Sequence, residues 1–265
     1  MGCGMGSPAE SGQPMKKGSE LLQEIDETLS VTPTLWWLGH AGFVVRFANI
    51  TFYVDPYLSG QDALVHPVEV RNADMIFATH AHPRHLDAAT IVPMLSASAR
   101  AKVVMPKSAS ENAHAAGIAY ARMTTTDSGL RVEYWKDNLY GRVYAVPSAH
   151  PKLDWTPAGG YPYLGYLIRF GRWTIYHAGD CTPYEGLADR LRPFNVSVAL
   201  VPVGGKNHSA SDAAQLAADI GARWLVPMHS SSGDEAAFVD HMLGQRPGQS
   251  FKVFQRGEKW TVPED

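Results

Sequence analysis

Apolar residues along the chain fall in short runs broken by Gly, Pro and Asn, the punctuation of strands joined by turns. Three runs at 35–38, 43–47 and 50–54 follow closely, with turns at 39–42 and at Ala48-Asn49, and predict a β-meander. A fourth buried strand is predicted at 75–79 and stops at a histidine cluster. Beyond it the pattern alternates. Helices are predicted at 86–95, 108–116, 211–220 and 234–243, with Ser108, three residues before Glu111, and Ser211 as N-caps. Strands are predicted at 102–105, 131–135, 142–146, 196–201, 223–227, 251–254 and 259–262, and a hairpin at 163–170 and 173–177 around Gly171-Arg172. A short helix at 19–29, with apolar Leu21, Leu22 and Ile25, precedes all of these.

Strands crowd the first part and helices separate the later strands. That order fits two sheets covered by helices on their outer faces, an α/β fold. No linker-like stretch or short repeat divides the chain after residue 30. We therefore expect one domain over 31–265, preceded by a tail and short helix over 1–30. The tail, rich in Gly, Ser and Pro, is expected to be disordered.

Composition narrows the function classes. The chain has 265 residues, 45% of them hydrophobic, enough for a sizeable core. The net charge of -3 carries no basic stripe, so no nucleic-acid partner is expected. Two cysteines, Cys3 and Cys181, argue against a disulfide framework and exclude a four-cysteine zinc site. No apolar run reaches the roughly 18 residues of a membrane span, and residues 1–18 lack a signal-peptide core. Gly2 and Cys3 suggest lipidation, but Gly6 breaks the myristoylation pattern. The expectation is a cytoplasmic protein with no membrane partner; homo-oligomerisation is left open.

The chemistry lies in Thr79-His80-Ala81-His82-Pro83-Arg84-His85-Leu86-Asp87. Three histidines fall within six residues at the end of a buried strand. In an extended segment His80 and His82 face the same side and can chelate one ion, and His85 reaches the same cavity from a helix start. Imidazole suits Zn2+, the first candidate, and also Mn2+, Fe2+ or Ni2+.

This run resembles the His-x-His-x-Asp-His motif of the metallo-β-lactamase superfamily. Other marks follow in order: Pro147-Ser148-Ala149-His150, His177-Ala178-Gly179-Asp180 and Val226-Pro227-Met228-His229, each after a predicted strand. Leu38-Gly39-His40-Ala41-Gly42-Phe43 and Tyr53-Val54-Asp55-Pro56 resemble the entry strands of the branch holding the L-ascorbate-6-phosphate lactonase-like and N-acyl-phosphatidylethanolamine phospholipase D-like proteins. The resemblance covers roughly residues 34–262. It implies a four-layer αββα sandwich and two adjacent metal sites: His80, His82 and His150 on the first ion, Asp180 bridging, His85 and His229 on the second. Two close cations lower the pKa of a shared water and stabilise the oxyanion formed on attack.

One position departs from the motif: Arg84 stands where the family has the Asp that binds the second metal. A guanidinium cannot ligate a cation. The second site is weakened, or Arg84 turns outward and leaves both ions, or it points inward and binds an anionic substrate group. Of these the weakened second site is the first expectation. Loss of the Asp also leaves open a protein that no longer catalyses the ancestral reaction.

Several residues are placed around the centre. Asp55 and Asp87 are candidates to orient a ligand imidazole, Asp87 equally a first-turn helix carboxylate. His40 is expected near the pocket as a polar turn residue, not a ligand. Lys206 and His208, in the loop after 196–201, are candidate substrate contacts, and Lys152, Asp154 and Trp155 a pocket rim. Cys181 reads as a buried small side chain. The expected function is a metal-dependent hydrolase of an ester, lactone or phosphoester of a small, anionic molecule, with Asp180, Arg84 and His208 in the catalytic machinery. The alternatives are a phospholipase D-like phosphodiesterase and a non-catalytic metal-binding protein.

Overall fold

The computed structural model describes residues 15–204, 209–230 and 233–264. In chain order the first half runs α1 (Gly18–Glu27), β1 (Thr34–Gly39), β2 (Gly42–Phe47), β3 (Ile50–Val54), β4 (Met75–Phe77), α2 (Ala88–Ala97), β5 (Lys102–Pro106), α3 (Ser110–Ala115) and β6 (Met123–Thr126). The second half runs β7 (Arg131–Lys136), β8 (Leu139–Pro147), β9 (Leu164–Phe170), β10 (Trp173–His177), α4 (Leu187–Leu191), β11 (Val198–Pro202), α5 (Ala210–Ile220), β12 (Trp224–Met228), α6 (Asp234–Gln245), β13 (Ser250–Phe251) and β14 (Lys259–Thr261).

Two seven-stranded sheets result, ordered β14-β1-β2-β3-β4-β5-β6 and β13-β12-β11-β10-β9-β8-β7. Each half repeats one plan. Antiparallel strands (β1 to β3, β7 to β10) lead into parallel ones reached through helices (β4 to β6, β11 to β13). The repeat lies in topology, and no short sequence period accompanies it.

Alternation along the strands builds the layers. Leu35, Phe43, Val45, Phe52 and Phe77 of one sheet meet Tyr166, Ile168, Ile175, Val198 and Leu200 of the other in a dry central core. The opposite face of the first sheet, with Trp36, Val44, Tyr53 and Ile76, packs on Leu21, Ile25, Ile91 and Met94 of α1 and α2. Tyr176, Ala199 and Val201 of the second sheet pack on Leu187, Leu216 and Phe238 of α4, α5 and α6. Burying each large apolar side chain contributes about 1.5–3 kcal/mol, so α1 is fastened to the domain; residues 1–14 of the expected tail lie outside the described residues. Trp36 Nε1 also donates to Glu24 at 2.8 Å. Among the described residues no helix is long and apolar enough to cross a membrane.

The helix caps differ from expectation. Ser108 lies inside a single 3-10 turn (Lys107–Ala109), and α3 begins from Ala109 without a side-chain cap. Ser209, not Ser211, caps α5: its hydroxyl accepts from Asp212 N while the Asp212 carboxylate accepts from Ser209 N.

Strand direction creates the site. β1, β3 and β4 run the same way, as do β8, β10 and β12, because two antiparallel steps separate β1 from β3 and β8 from β10 and the strands that follow are parallel. Their carboxyl ends deliver His40, Asp55, His80, His150, Asp180 and His229 to one edge of the sandwich, where open α/β sheets place ligands. Two bonds join the sheets there: Leu164 N donates to Thr79 O at 3.0 Å, and Tyr166 Oη to Ala78 O at 2.9 Å.

Candidate metal centre

β4 ends at Phe77, and the histidine run that follows is bent rather than extended. Thr79 fixes its start: its N–H and Oγ1 donate to the two oxygens of Asp55, each at 2.7 Å. The carbonyl of His82 accepts from His85 N at 2.9 Å and Leu86 N at 3.0 Å, closing a turn. That turn buries His85 and leaves His82 exposed. His80 Nε2 still meets His82 Nδ1 at 3.0 Å, so the expected pairing is reached through a bend and not through strand alternation.

Two groups of donors form. His80, His82, His150 and Asp180 each offer one ligand atom within 4.8 Å of the others. His40, His85 and His229 do the same within 4.8 Å. Asp180 stands between the groups. Its Oδ2 lies 3.4 Å from His150 Nε2 and 3.7 Å from His80 Nε2. Its Oδ1 lies 3.4 Å from His85 Nε2 and 3.5 Å from His229 Nε2. One carboxylate oxygen thus faces each cluster.

The donor chemistry fits a divalent transition metal. Neutral imidazole and carboxylate are its usual ligands. Asp180 Oδ1 and His40 Nδ1 are also buried with no hydrogen-bond partner among the described residues, the state of a lone pair reserved for a cation. An orphaned buried acceptor otherwise costs about 1–3 kcal/mol.

The electrostatics hold Asp180, His80 and His40 in ligating form. Burial opposes ionisation of Asp180, yet His150, His85 and His229 around it hold its carboxyl far below the usual range. Burial drives the His80 ring well below its ordinary pKa and that of His40 down to about 3, with His229 and His85 adding to the latter. His150 and His85 are the exceptions. The hydrogen bond to Asp180 raises the His150 ring above its ordinary value. Burial disfavours charge on His85, but Asp55 and Asp180 on either side push it up to about 10 without a metal.

Backbone geometry is specialised at the same residues. His40, Asp55 and His229 have φ of 52°, 44° and 55°, a left-handed conformation rare outside glycine. The carbonyl of His40 holds it in place, accepting from His229 N and Trp37 Nε1, both at 3.0 Å. Gly204 lies beneath this corner, where a Cβ would approach His229 O to 2.8 Å.

The structure sorts the remaining candidates. Asp55 is fully buried and its Oδ2 lies 2.7 Å from His85 Nδ1, so it orients a ring of the site. Asp87 precedes α2 and accepts from Thr90 Oγ1 at 2.5 Å, the helix-start role. Arg84 is exposed, its guanidinium 5.7 Å from the centre of the Tyr57 ring and outside both donor groups. Lys152, Asp154 and Trp155 are exposed on the loop after His150. Cys181 is buried and its thiol is pushed up to about 11 by that burial. Lys206 and His208 lie outside the described residues.

Three residues escape sequence reasoning. His40, expected as a turn residue and not a ligand, stands inside the second donor group, its ring 4.0 Å from that of His229. Tyr163 walls the first group, stacked on His150 at 4.8 Å and 17°. His177, fully buried, donates from Nε2 to Ala41 O at 2.8 Å and accepts from Gly179 N at 3.2 Å, pinning the turn that presents Asp180. His177 opens the Asp180 tetrapeptide and His40 lies in the Leu38–Phe43 mark, so both carry a visible signal, whereas Tyr163 carries none.

Known proteins share this plan. The Beta-lactamase superfamily domain matches residues 34–229. A UPF0173 metal-dependent hydrolase of Myxococcus xanthus is 32% identical over 208 residues, spanning 76% of this chain and 71% of that protein. One of Pyrococcus horikoshii is 30% identical, spanning 73% and 82%. In fold, the chain resembles Igni18, a metallo hydrolase of Ignicoccus hospitalis, with a TM-score of 0.71 at 20% identity, over 88% of this chain and 100% of that one. The chain belongs to the β-lactamase superfamily and, within it, to the UPF0173 metal-dependent hydrolase family.

Proposed function

We propose that the protein is a hydrolase, holding one or two divalent transition metal ions with zinc the first candidate, that cleaves an ester, lactone or phosphoester bond in a small anionic molecule. The observation that carries this reading is the Asp180 carboxylate, with one oxygen toward each of two histidine clusters. When bound, such cations lower the pKa of water and act as Lewis acids toward a carbonyl or phosphoryl oxygen.

The chain's own residues supply the rest. His80, His82, His150 and Asp180 are the residues that would hold one cation. His177 and Gly179 fix the Asp180 turn so the carboxylate need not reorganise during reaction. Tyr163, flat against His150, covers one side of the first cluster and keeps water from that side. Arg84, exposed and over Tyr57, is the cationic group that receives the substrate's negative charge. The metal-dependent hydrolase names of the relatives support the reaction class.

The test is a panel of aryl esters, lactones and phosphodiesters, each with and without a remote carboxylate or phosphate. Chelator-sensitive turnover that favours the anionic members is expected. A metal-loaded protein that hydrolyses none of them, or one whose turnover survives chelation, overturns the reading.

A further inference from the structure

The motif that resembles this chain's histidine run carries a carboxylate at position 84, and here that position is an exposed arginine outside both donor groups. The second cluster therefore lacks an anionic donor from the run itself. Another side chain fills the space. His40, from the corner after β1, puts a ring nitrogen within 4.8 Å of those of His85 and His229. Its Nδ1 is buried and has no hydrogen-bond partner among the described residues. Asp180 Oδ1, which faces His85 Nε2 at 3.4 Å and His229 Nε2 at 3.5 Å, is unpartnered in the same sense.

The scaffold around His40 is built to hold the ring there. His40 and His229 both adopt left-handed backbone, and the amide of His229 donates to the carbonyl of His40 at 3.0 Å. Trp37 Nε1 donates to the same carbonyl, also at 3.0 Å. The corner after β1 and the corner after β12 are thereby locked together, with their imidazoles 4.0 Å apart centre to centre. His85 completes the group with its orientation set by Asp55. A turn histidine with only a surface role needs none of this.

We propose that His40 is a ligand of the second metal ion, an imidazole donor in place of the motif carboxylate, alongside His85, His229 and Asp180 Oδ1. The proposal rests on the protein holding metal as described above and goes beyond it in naming the donor. Both centres then have the same set, three imidazoles and one oxygen of a shared carboxylate. Imidazole is neutral where a carboxylate is anionic, so the net charge of the loaded site, ions plus ligands, would be one unit more positive than with the motif Asp. Such a site favours borderline ions such as Zn2+, Fe2+ or Ni2+ over Mg2+ or Ca2+, which take oxygen donors.

The test is metal stoichiometry. The protein is stripped with chelator, reloaded with Zn2+, desalted, and its zinc per chain measured by plasma mass spectrometry. His40→Asn is the variant of choice, because Asn tolerates left-handed backbone and removes the imidazole. Wild type should hold about two ions and His40→Asn about one, with the circular dichroism and thermal unfolding of the stripped forms alike. His40→Asp, which keeps the backbone and returns an anionic donor, should regain the second ion. The proposal is overturned if His40→Asn keeps two ions with the wild-type release rate. It is overturned too, with the hydrolase reading intact, if wild type holds only one. Should wild type hold none, the metal-dependent reading fails with it.

Discussion

Asp55 Oδ2 lies 2.7 Å from His85 Nδ1, and that contact turns the other ring nitrogen of His85 toward Asp180. A carboxylate that binds one imidazole nitrogen fixes the ring's orientation and raises the basicity of the other. The same Asp55 anchors the histidine run by accepting from Thr79 N and Oγ1. One buried side chain thus sets both the position of the run and the direction of its third histidine.

Asp55→Ala should therefore damage folding and metal binding together. It removes the acceptor that Thr79 N, Thr79 Oγ1 and His85 Nδ1 share, and a broken buried charge pair costs about 3–5 kcal/mol. Urea unfolding of the stripped protein should show that loss. Asp55→Asn, which keeps the shape, should fold and weaken metal affinity about 10–100-fold in a chelator competition. Unchanged affinity in the folded Asn variant would remove Asp55 from the account.

Stripped protein should have a stability optimum near neutrality. His85 is raised from 6.5 to about 10, so its stabilising charge is fully present below 6.5 and is lost as pH rises through about 10. His80, His40 and His177 are held below 6.5, first of all by burial. They are neutral when folded and take up protons on unfolding, so stability falls as pH drops below 6.5. Urea midpoints from pH 5 to 10 should peak between these limbs. Bound metal, which takes neutral imidazoles, should flatten the alkaline limb. A monotonic rise of the stripped protein's midpoint up to pH 10 would contradict the His85 environment.

Arg84→Gln should raise KM about tenfold for an anionic substrate and leave a neutral one unchanged, the effect expected of one lost charge-assisted hydrogen bond. Arg84→Lys should recover part of the loss. Equal effects on neutral and anionic substrates would assign Arg84 to packing on Tyr57 instead.

Cys181, buried beside Asp180 with its thiol pushed up to about 11, should resist iodoacetamide at pH 8 in the folded protein. Peptide mass spectrometry should find it alkylated only after denaturation. Rapid native modification would mean that the Asp180 turn opens to solvent.

Much of this was legible along the chain, for stated physical reasons. Strands such as β2 and β3 are continuous apolar runs cut by tight turns. The candidate donors His80, His150, Asp180 and His229 follow predicted strands, so the sequence places them at strand ends. β6, by contrast, reads Met-Thr-Thr-Thr and borders the sheet, with too little apolar character to register. Ser211 and Ser209 are equivalent as residue types, and only the reciprocal bonds with Asp212 distinguish them. The Leu38–Phe43 mark points His40 to the neighbourhood of the pocket, but its membership in a donor group depends on two left-handed corners from opposite ends of the chain meeting backbone to backbone. No local pattern encodes such a meeting.

The central claim is that Asp180 is shared between two clusters. Anomalous diffraction at the zinc edge from crystals of zinc-loaded protein tests it most directly. Two peaks are predicted on either side of the Asp180 carboxylate, one among His80, His82 and His150 and the other among His40, His85 and His229. A map with no peak beside Asp180, or with metal bound away from these histidines, would contradict the account.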